Sequence, residues 1–353
     1  MSFSPSSILV TGANGYFGLH VVDQLLKHDR TVYATVRSEK AAETVRTSFS
    51  AYIKSDQLRI VFVEDLTQPE CFQHAFNETI TSVVHVASPC PMGKNIQDNI
   101  REILSPAIAG TTAVLEAAKK YASSSFRRVV QISSFSAMLD LSRGPRPGYT
   151  YTEADWNPVT YEEAAKEQDP IVLYIASKAL SEKAVWEWMS ANKPHFDTVC
   201  LCPSTIFGPH IEAIDSMTRL HSTASLLWGL VDAPQVPRLD FAGAIDVRDA
   251  ALMVVSAVDT PDASGKRFLL AEHFDWQSAA DAARSSLAQE ARCRIPIGTP
   301  GSGKDEALNN LYTVDGSKAV EVLRVRYRPL AETVIDTLKQ FLEVEARERE
   351  SSA

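Results

Sequence analysis

Close to its start, the chain passes from an apolar run directly into a glycine-rich turn and then into a helical pattern. The run I-L-V is followed by T-G-A-N-G-Y-F-G at residues 11–18, and residues 16–27 have the spacing of an amphipathic helix. Glycines let such a turn bend tightly and approach a pyrophosphate, and the helix N-terminus offers unpaired N–H groups. The pattern predicts a dinucleotide-binding unit; the alternative is a glycine-rich turn without a ligand.

The first half of the chain continues this alternation of β-type runs and helical patterns. The predicted strands are residues 8–12, 31–36, 58–64, 82–87, 127–133 and 198–204, and the predicted helices are residues 16–27, 40–54, 108–121 and 171–189. Apolar strands that alternate with helices are typical of a parallel sheet buried on both faces. The predicted fold class is therefore α/β, a doubly wound parallel sheet of the Rossmann type with a smaller C-terminal substrate-binding lobe.

The pattern also predicts how the chain is divided. Residues 1–208 mainly form the dinucleotide-binding domain, with a proline-rich excursion at 139–170 over the active site. Residues 209–353 mainly form the substrate-binding lobe, and 240–272 return to the first domain. In that return Asp246 caps a helix that runs to Val258, and R-F-L-L-A is a late strand. A last helix, at about 330–345, ends in a charged tail.

Composition and charge limit the classes of partner. The 353-residue chain has a formal net charge of −9, which disfavours nucleic acid. Its five cysteines include no C-x-x-C pair, its histidines lack the spacing of a zinc site, and we expect no metal. The N-terminus is too short and polar for a signal peptide, and no apolar run reaches the length of a membrane span. A cytoplasmic protein is expected; its oligomeric state cannot be read from the sequence.

The second strand carries the information on which dinucleotide binds. NAD enzymes usually place Asp or Glu at the end of this strand to hold the ribose hydroxyls. Here the strand ends in Val36 and is followed by Arg37, whose planar guanidinium suits the 2′-phosphate of NADP, with Lys40 nearby to assist. NADP(H) is therefore predicted over NAD, the alternative being a solvated arginine on a loop. After the third strand, Asp65 either accepts a hydrogen bond from adenine or caps the next helix.

Three residues fit the chemistry of a hydride-transfer centre. Tyr174 and Lys178 lie four residues apart on a predicted helix and share one face, and Ser134 follows a predicted strand at the carboxyl edge of the sheet. A serine hydroxyl can stabilise negative charge on a carbonyl oxygen, and tyrosine can supply the proton. A nearby ammonium favours the phenolate and lowers the pKa of the tyrosine. The alternative is an exposed i,i+4 Tyr–Lys pair.

With these motifs, the sequence resembles the extended, or atypical, short-chain dehydrogenases/reductases. T-V-R at 35–37, H-V-A-S-P at 85–89, Y-I-A-S-K at 174–178 and P-S-T-I-F-G-P at 203–209 are similar to the dihydroflavonol 4-reductase-like branch. N-K-P-H-F at 192–196 and F-D-W at 274–276 resemble its fungal and yeast NADPH-dependent aldehyde/ketone reductases. The likeness covers nearly the whole chain and implies reduction of an aldehyde or ketone to an alcohol, with Tyr174 as proton donor.

The resemblance also implies cofactor contacts across the first domain. The implied contacts are Gly12, Gly15, Gly18, Arg37, Asp65, Leu66, Ala87, Lys178 and Pro203, and the neighbouring candidates are Asn14, Tyr16, Phe17, Lys40, Ser88 and Ser204. Phe135 stands where many relatives have a small residue, and we expect it to narrow the pocket. Phe135, Phe207 and Trp228 are the candidate substrate contacts. The apolar content of the excursion and of the lobe after Gly208 favours a hydrophobic or aromatic carbonyl compound, in detoxification or secondary metabolism; it includes Tyr149, Tyr151, Leu226, Leu227 and Trp228.

Other functions remain open at this stage. A sugar-nucleotide epimerase or dehydratase, or a hydroxysteroid dehydrogenase, can use the same fold, although an epimerase usually keeps NAD bound and Val36 replaces the acid that NAD favours. A sensor that binds NADP(H) without chemistry typically lacks the tyrosine.

Two further patterns receive structural interpretations. G-T-P-G-S-G-K-D at 298–305 has Asp where a phosphate-binding P-loop needs Ser or Thr, and is interpreted as a flexible loop. His85, and the acids Asp246 and Asp249, are interpreted as structural, the acids as a capping box.

Overall fold

The structure is a computed structural model that describes residues 6–89, 96–238 and 240–352. Its strands, in chain order, are β1 (Ser7–Thr11), β2 (Thr31–Val36), β3 (Leu58–Phe62), β4 (Ile80–His85), β5 (Arg128–Ile132), β6 (Thr150–Tyr151), β7 (Asp197–Pro203), β8 (Thr205–Phe207), β9 (Gly243–Asp246), β10 (Arg267–Leu270), β11 (Glu272–His273) and β12 (Thr313–Val314). Its α-helices are α1 (Tyr16–Lys27), α2 (Glu39–Ser48), α3 (Ser50–Lys54), α4 (Ser105–Tyr121), α5 (Tyr161–Ala164), α6 (Pro170–Asn192), α7 (Ser222–Trp228), α8 (Val247–Asp259), α9 (Trp276–Ser286), α10 (Gln289–Arg292), α11 (Gly303–Asn310), α12 (Ser317–Leu323) and α13 (Leu330–Ser352).

Seven parallel strands form the central sheet, in the order β10-β7-β5-β4-β1-β2-β3. The strand order reverses between β1 and β4, and in open α/β sheets the ligand crevice lies outside the carboxyl ends of the strands at such a reversal. Every residue of β1 and β5 is buried, as expected for strands covered on both faces. The predicted fold class is confirmed.

Helices cover both faces of this sheet. On one face α1 packs against α8, and Val22 and Val254 belong to the same apolar core. On the other face α4 packs against α6, and Val114 and Val185 belong to a second core. The residues that follow the strands at the carboxyl edge of the sheet therefore lie between two packed layers of helices.

The helix predicted at 40–54 is wrong as a single element. The chain leaves helical geometry at Phe49, whose φ is −133° and ψ 34°, so that α2 and α3 are separate helices. The side chain of Phe49 is 4% exposed and packs in the same core as Val22. The break between α2 and α3 coincides with burial of the Phe49 ring. The helical spacing of the segment did not predict this burial.

The elements after Gly208 belong to two parts of the molecule, a small separate sheet and the layers of the central sheet. Strand β9 pairs with β8 and β11 in a three-stranded sheet, whereas α8 and β10 join the layers of the central sheet. A third core lies outside the central sheet and contains Phe207, Phe274, Trp276 and Val334. The expected charged tail after residue 345 is helical, since α13 continues to Ser352 and Arg349 pairs with Glu345 one turn earlier at 2.9 Å.

Two contacts of the excursion at 139–170 bear on its position beside the site. Its strand β6 pairs in parallel with β12. The backbone N–H of Asn157 donates to the carbonyl of Ala137 (2.9 Å), and the Asn157 amide donates to the carbonyl of Ser136 (3.2 Å). The excursion therefore packs directly against the segment that follows β5. In the described part of the chain, no helix combines the length and apolar character needed to cross a membrane.

Candidate functional site

The glycine-rich turn after β1 has a backbone that larger residues cannot follow. Gly12 has φ +68°, and a Cβ there would lie 2.8 Å from the backbone nitrogen of Ala87. A Cβ at Gly18 would lie 2.0 Å from the carbonyl oxygen of Gly12. Gly12 and Gly18 therefore allow the turn, the helix and the end of β4 to approach closely, as a dinucleotide-binding turn requires.

Helix α1 presents its N-terminus to this turn. Its N-cap residue is Gly15, which has no side chain to accept from the first N–H groups, and its first turn contains no acidic residue. This end is suited to an anion such as a pyrophosphate. Asn14 is exposed beside it and Phe17 is half-buried. The ring of Tyr16 is instead buried, and its hydroxyl donates to the carbonyl of Gly208 at 2.8 Å, which leaves Tyr16 only its backbone for a cofactor contact.

The end of β2 forms an exposed, basic rim. Val36 is buried, whereas Arg37 and Lys40 are exposed. Glu39, the nearest acid along the chain, pairs with Arg46. The guanidinium of Arg37 thus faces solvent at the position where a 2′-phosphate is expected.

Asp65 follows β3, is exposed, and accepts hydrogen bonds from the backbone N–H (2.8 Å) and hydroxyl (2.7 Å) of Thr67. The hydroxyl bond, followed by the backbone bond, lowers the pKa of Asp65, so the carboxylate is ionised at neutral pH. The following 3₁₀ helix has Gln68, not Asp65, as its N-cap. The capping alternative is therefore wrong in detail: Asp65 closes a turn ahead of that helix. Leu66 is half-buried beside it.

At the end of β4, a buried histidine links the two strands that flank the reversal of strand order. Nδ1 of His85 lies 2.8 Å from the hydroxyl of Thr11, and this hydroxyl also accepts from the backbone N–H of Ala87 at 3.3 Å. Burial, and next the positive charge of Lys178, lower the pKa of His85 to about 3. His85 is thus a packed, neutral residue, as interpreted from the sequence. Ala87 is half-buried and Ser88 is exposed.

Ser134 follows β5 and is held in place by its own turn. It is the N-cap of a 3₁₀ helix, Phe135–Ala137, and its Oγ accepts from the backbone N–H of Ser136 at 3.1 Å. Because this bond uses Ser134 as an acceptor, its O–H remains a donor, directed to Oγ of Ser136 at 3.1 Å. Ser134 is half-buried, whereas the preceding Ser133 is 4% exposed.

Tyr174 and Lys178 lie one turn apart on α6. The helix begins at Pro170 after Asp169, whose side chain accepts from the backbone N–H of Ile171 at 2.7 Å, a strong local N-terminal signal. Tyr174 is half-buried and Lys178 is 6% exposed. Helix α6 packs against the 3₁₀ helix that begins after Ser134. The structure thus brings the segments that carry Ser134, Tyr174 and Lys178 together.

The two cofactor contacts predicted at the end of β7, Pro203 and Ser204, are less exposed than Arg37 and Asp65. Pro203 is buried, and the hydroxyl of Ser204 donates to the carbonyl of Gly243 at 2.6 Å, which joins β7 to the lobe. A Cβ at Gly243 would lie 3.0 Å from this hydroxyl.

The candidate substrate contacts lie in different surroundings. Phe135 is 6% exposed and packs against Tyr151 and Tyr312 with ring centroids 5.5 and 5.6 Å away. Phe207 is fully buried among Phe274 and Trp276, so its side chain offers no surface to a substrate, and its assignment as a direct contact is wrong. Trp228, on α7, is half-buried against the same core, 6.3 Å from the ring of Phe341.

Two residues of the site region, Glu182 and Arg267, were not identified from the sequence. Glu182, one turn after Lys178, has a fully buried side chain that pairs with Arg267 at 2.5 Å. A charged residue on the buried face of α6 was a usable signal, because unpaired charges are rarely buried. Burial, and next the charge of Glu182, raise the pKa of the adjacent Cys202 well above its ordinary value, so Cys202 is a thiol.

Two of the structural interpretations need correction. Residues 303–305 of the sequence that resembles a P-loop begin α11 instead of forming a loop, and the backbone N–H of Thr299 donates to the side chain of Gln277 at 2.9 Å. Asp246 does cap α8, but Asp249 accepts from the backbone of Arg328 at 2.5 Å and forms no capping box with Asp246. Among residues 6–89, 96–238 and 240–352, no three His, Cys, Asp or Glu side chains are grouped to hold a metal ion.

Comparison with known proteins matches most of the chain. Residues 8–271 match the family described as the NAD dependent epimerase/dehydratase family. The chain is 34% identical over 352 residues to the NADPH-dependent methylglyoxal reductase GRE2 of Saccharomyces cerevisiae, covering 97% of this chain and 99% of that protein. It is 28% identical over 356 residues to aldehyde reductase 2 of Sporidiobolus salmonicolor, covering 96% and 95%.

Solved structures agree with this relationship. The yeast methylglyoxal/isovaleraldehyde reductase Gre2 complexed with NADPH has a TM-score of 0.87 at 33% identity, covering 97% of this chain and 99% of that chain. Vestitone reductase from alfalfa has a TM-score of 0.73 at 19% identity, covering 96% and 98%, which is a likeness of fold alone. The chain belongs to the NAD dependent epimerase/dehydratase family, within the extended short-chain dehydrogenases/reductases.

Proposed function

We propose that this chain reduces an aldehyde or ketone to an alcohol with NADPH, using Ser134, Tyr174 and Lys178 as catalytic residues. One observation carries the proposal: the segments that bear these three residues meet at the carboxyl edge of the sheet, beside a glycine turn built for a dinucleotide. The yeast relative, named as an NADPH-dependent methylglyoxal reductase, is similar along 97% of this chain and supports the same cofactor and reaction class.

The cofactor contacts follow from the residues at the sheet edge. The N–H groups at the start of α1 bind the pyrophosphate, and Arg37, with Lys40, binds the 2′-phosphate. Asn14, Asp65, Leu66, Ala87, Ser88, Pro203 and Ser204 complete the proposed contacts. Bound NADPH supplies a hydride, with its electron pair, to the carbonyl carbon of the substrate.

The catalytic residues act on the carbonyl oxygen. The O–H of Ser134 donates to this oxygen and stabilises the negative charge that develops when the π electron pair moves onto it. Tyr174 then transfers its proton to the oxygen and becomes a phenolate. The positive charge of Lys178 stabilises this phenolate. Solvent returns a proton to Tyr174 before the next turnover.

The substrate class is proposed from the surroundings of Ser134. Phe135, in contact with Tyr151 and Tyr312, makes that wall aromatic. We therefore expect hydrophobic or aromatic carbonyl compounds, and small aliphatic aldehydes are reasonable first substrates because the yeast relative is named for methylglyoxal and isovaleraldehyde.

We further propose that residues 209–353 mainly form the substrate-binding lobe, with 240–272 returning to the domain of residues 1–208, and that the protein is cytoplasmic.

The test is a panel of carbonyl compounds mixed with purified protein and NADPH, with the loss of NADPH absorbance as readout. Methylglyoxal, isovaleraldehyde, aromatic aldehydes and aryl ketones form the panel, and NADH in place of NADPH is the control. Turnover with at least one compound, faster with NADPH, supports the proposal. No turnover with any compound, together with conversion of a nucleotide sugar, favours the epimerase or dehydratase alternative. Binding of NADPH without any turnover favours the sensor.

A further inference from the structure

A buried ion pair connects the helix that carries Tyr174 with the neighbouring strands. Glu182 lies on α6, one turn after Lys178, and its side chain is 0% exposed. Nε of Arg267, the first residue of β10, donates to Oε1 of Glu182 at 2.5 Å, and the Arg267 side chain is 8% exposed. Two charges withdrawn from water cost free energy, and a buried ion pair is weak evidence for stability. Its contacts, rather than its strength, indicate what it does.

Glu182 accepts from side chains that adjoin site residues. Ser133, directly before Ser134, donates its hydroxyl to Oε2 of Glu182. Cys202, directly before Pro203, donates to the same oxygen at 3.4 Å. One carboxylate therefore fixes α6 against the ends of β5 and β7.

Arg267 extends the same network into the excursion at 139–170. Its guanidinium donates to the carbonyls of Glu153 and Asp155, both at 2.8 Å, and lies 3.5 Å from the ring centroid of Trp156. Asn157 follows immediately and donates to the carbonyl of Ser136 in the turn that holds Ser134. The pair thus sets the position of Ser134 from two sides: through Ser133 and through the excursion.

We propose that Glu182 and Arg267 are positioning residues, which hold the turn of Ser134 and the helix of Tyr174 in the relative register that proton transfer requires. The inference rests on the proposed function, because it assigns the pair to the geometry of that reaction. Neither residue is proposed to touch the substrate or the cofactor. Small displacements of reacting groups have large effects on rate, so loss of the pair is expected to act on kcat and not on cofactor binding.

The test compares two arginine-to-lysine variants. Arg267→Lys keeps a positive charge but loses the planar fork that reaches Glu182 and both carbonyls. Arg128→Lys is the matched control: Arg128 is similarly buried, pairs with Asp197 at 2.6 Å and donates to the carbonyls of Ala257 and Thr260 at 2.7 Å, at the opposite, amino edge of the sheet. We expect both variants to lose thermal stability.

Only Arg267→Lys is expected to lose turnover, by about 10–100-fold in kcat, with KM and the Kd of NADPH changed by less than about threefold. The half-point of the pH profile of kcat, measured for alcohol oxidation with NADP⁺, should shift upward because Tyr174 is held less well beside Lys178. Ser133→Ala removes one bond to Glu182, leaves the ion pair, and keeps the test decisive if Arg267→Lys does not fold. Its kcat should fall by about three- to tenfold.

A folded Arg267→Lys variant with kcat within twofold of wild type, or with no greater loss than Arg128→Lys, would overturn the inference. If Arg267→Lys does not fold, wild-type kcat in Ser133→Ala would do so. Tyr174→Phe and wild type, assayed in parallel, distinguish failure of the positioning role from failure of the proposed function on which it rests. An inactive Tyr174→Phe beside a fully active Arg267→Lys refutes only the positioning role. An active Tyr174→Phe refutes the assignment of Tyr174 as proton donor, whereas a wild-type protein that oxidises NADPH with none of the carbonyl compounds in the panel refutes the proposed function itself.

Discussion

The hydroxyl of Thr11 lies 2.8 Å from Nδ1 of His85, and this contact joins the ends of β1 and β4, the two strands between which the strand order reverses. His85 is 1% exposed, and Lys178 contributes positive charge nearby. A neutral imidazole therefore lies buried between the ends of the two strands that flank the proposed cofactor crevice.

The burial of His85 predicts a pH dependence of stability. Burial holds the pKa of His85 at about 3, below its ordinary value of 6.5. Between these values the unfolded chain binds a proton that the folded chain does not, so the free energy of unfolding falls as pH falls from 6.5, by up to about 1.4 kcal/mol per pH unit. In urea titrations at several pH values, His85→Gln should show a shallower loss than wild type. An unchanged slope in His85→Gln would refute the explanation.

The glycine turn predicts a difference between two alanine variants. In Gly18→Ala the new Cβ would lie 2.0 Å from the carbonyl oxygen of Gly12, so the turn must shift; in Gly15→Ala it would lie 3.4 Å from the same oxygen. We expect Gly18→Ala to lose about 1–3 kcal/mol of stability, as overpacking does, and to bind NADPH more weakly. Thermal unfolding should show Gly15→Ala close to wild type. Equal stability of the two variants would contradict the close approach of Gly18 to the carbonyl oxygen of Gly12.

The basic rim predicts the choice of cofactor. Charged hydrogen bonds from Arg37 to a 2′-phosphate are worth about 1.5–3 kcal/mol, or roughly one to two orders of magnitude in affinity. Arg37→Ala should weaken NADPH by that factor and leave NADH nearly unchanged, and addition of Val36→Asp should shift preference towards NADH. Fluorescence titration of both cofactors measures this. Equal losses for both would mean that Arg37 is only a solvated loop residue.

Ser134 and Ser133 predict losses of different size for two adjacent substitutions. Ser134→Ala removes the donor to the carbonyl oxygen and should lower kcat by about 10²–10³. Ser133→Ala should cost at most about tenfold, because its hydroxyl is directed to Glu182 and acts only through position. Steady-state kinetics of both variants provide the comparison. A larger loss in Ser133→Ala would mean that the assignment of the two hydroxyls is reversed.

Local patterns in the sequence were sufficient for the parts of the site that depend on short stretches of chain. Helix α1 and strand β2 have the predicted bounds, because the glycine turn and the apolar run specify them locally. The Tyr174–Lys178 helix begins at a local N-terminal signal, Asp169 followed by Pro170.

Contacts between distant segments could not be predicted in the same way. Arg267 and Glu182 are 85 positions apart, and only the packing of α6 against β10 and its neighbours brings them together. Phe207 is a predicted substrate contact, but Phe274 and Trp276, far along the chain, cover its ring. Periodicity specifies which face of an element is buried, not which residues cover it.

The most direct test of the central claim is the single-turnover rate of NADPH oxidation in Tyr174→Phe, measured with the best carbonyl compound of the panel and NADPH already bound. Phenylalanine keeps the ring and removes the proton that Tyr174 transfers. We predict a rate about 10²–10⁴-fold below wild type, as expected for loss of general-acid catalysis, with an unchanged Kd for NADPH. A near-normal rate of oxidation, with the alcohol formed as product, would contradict the assignment of Tyr174 as proton donor.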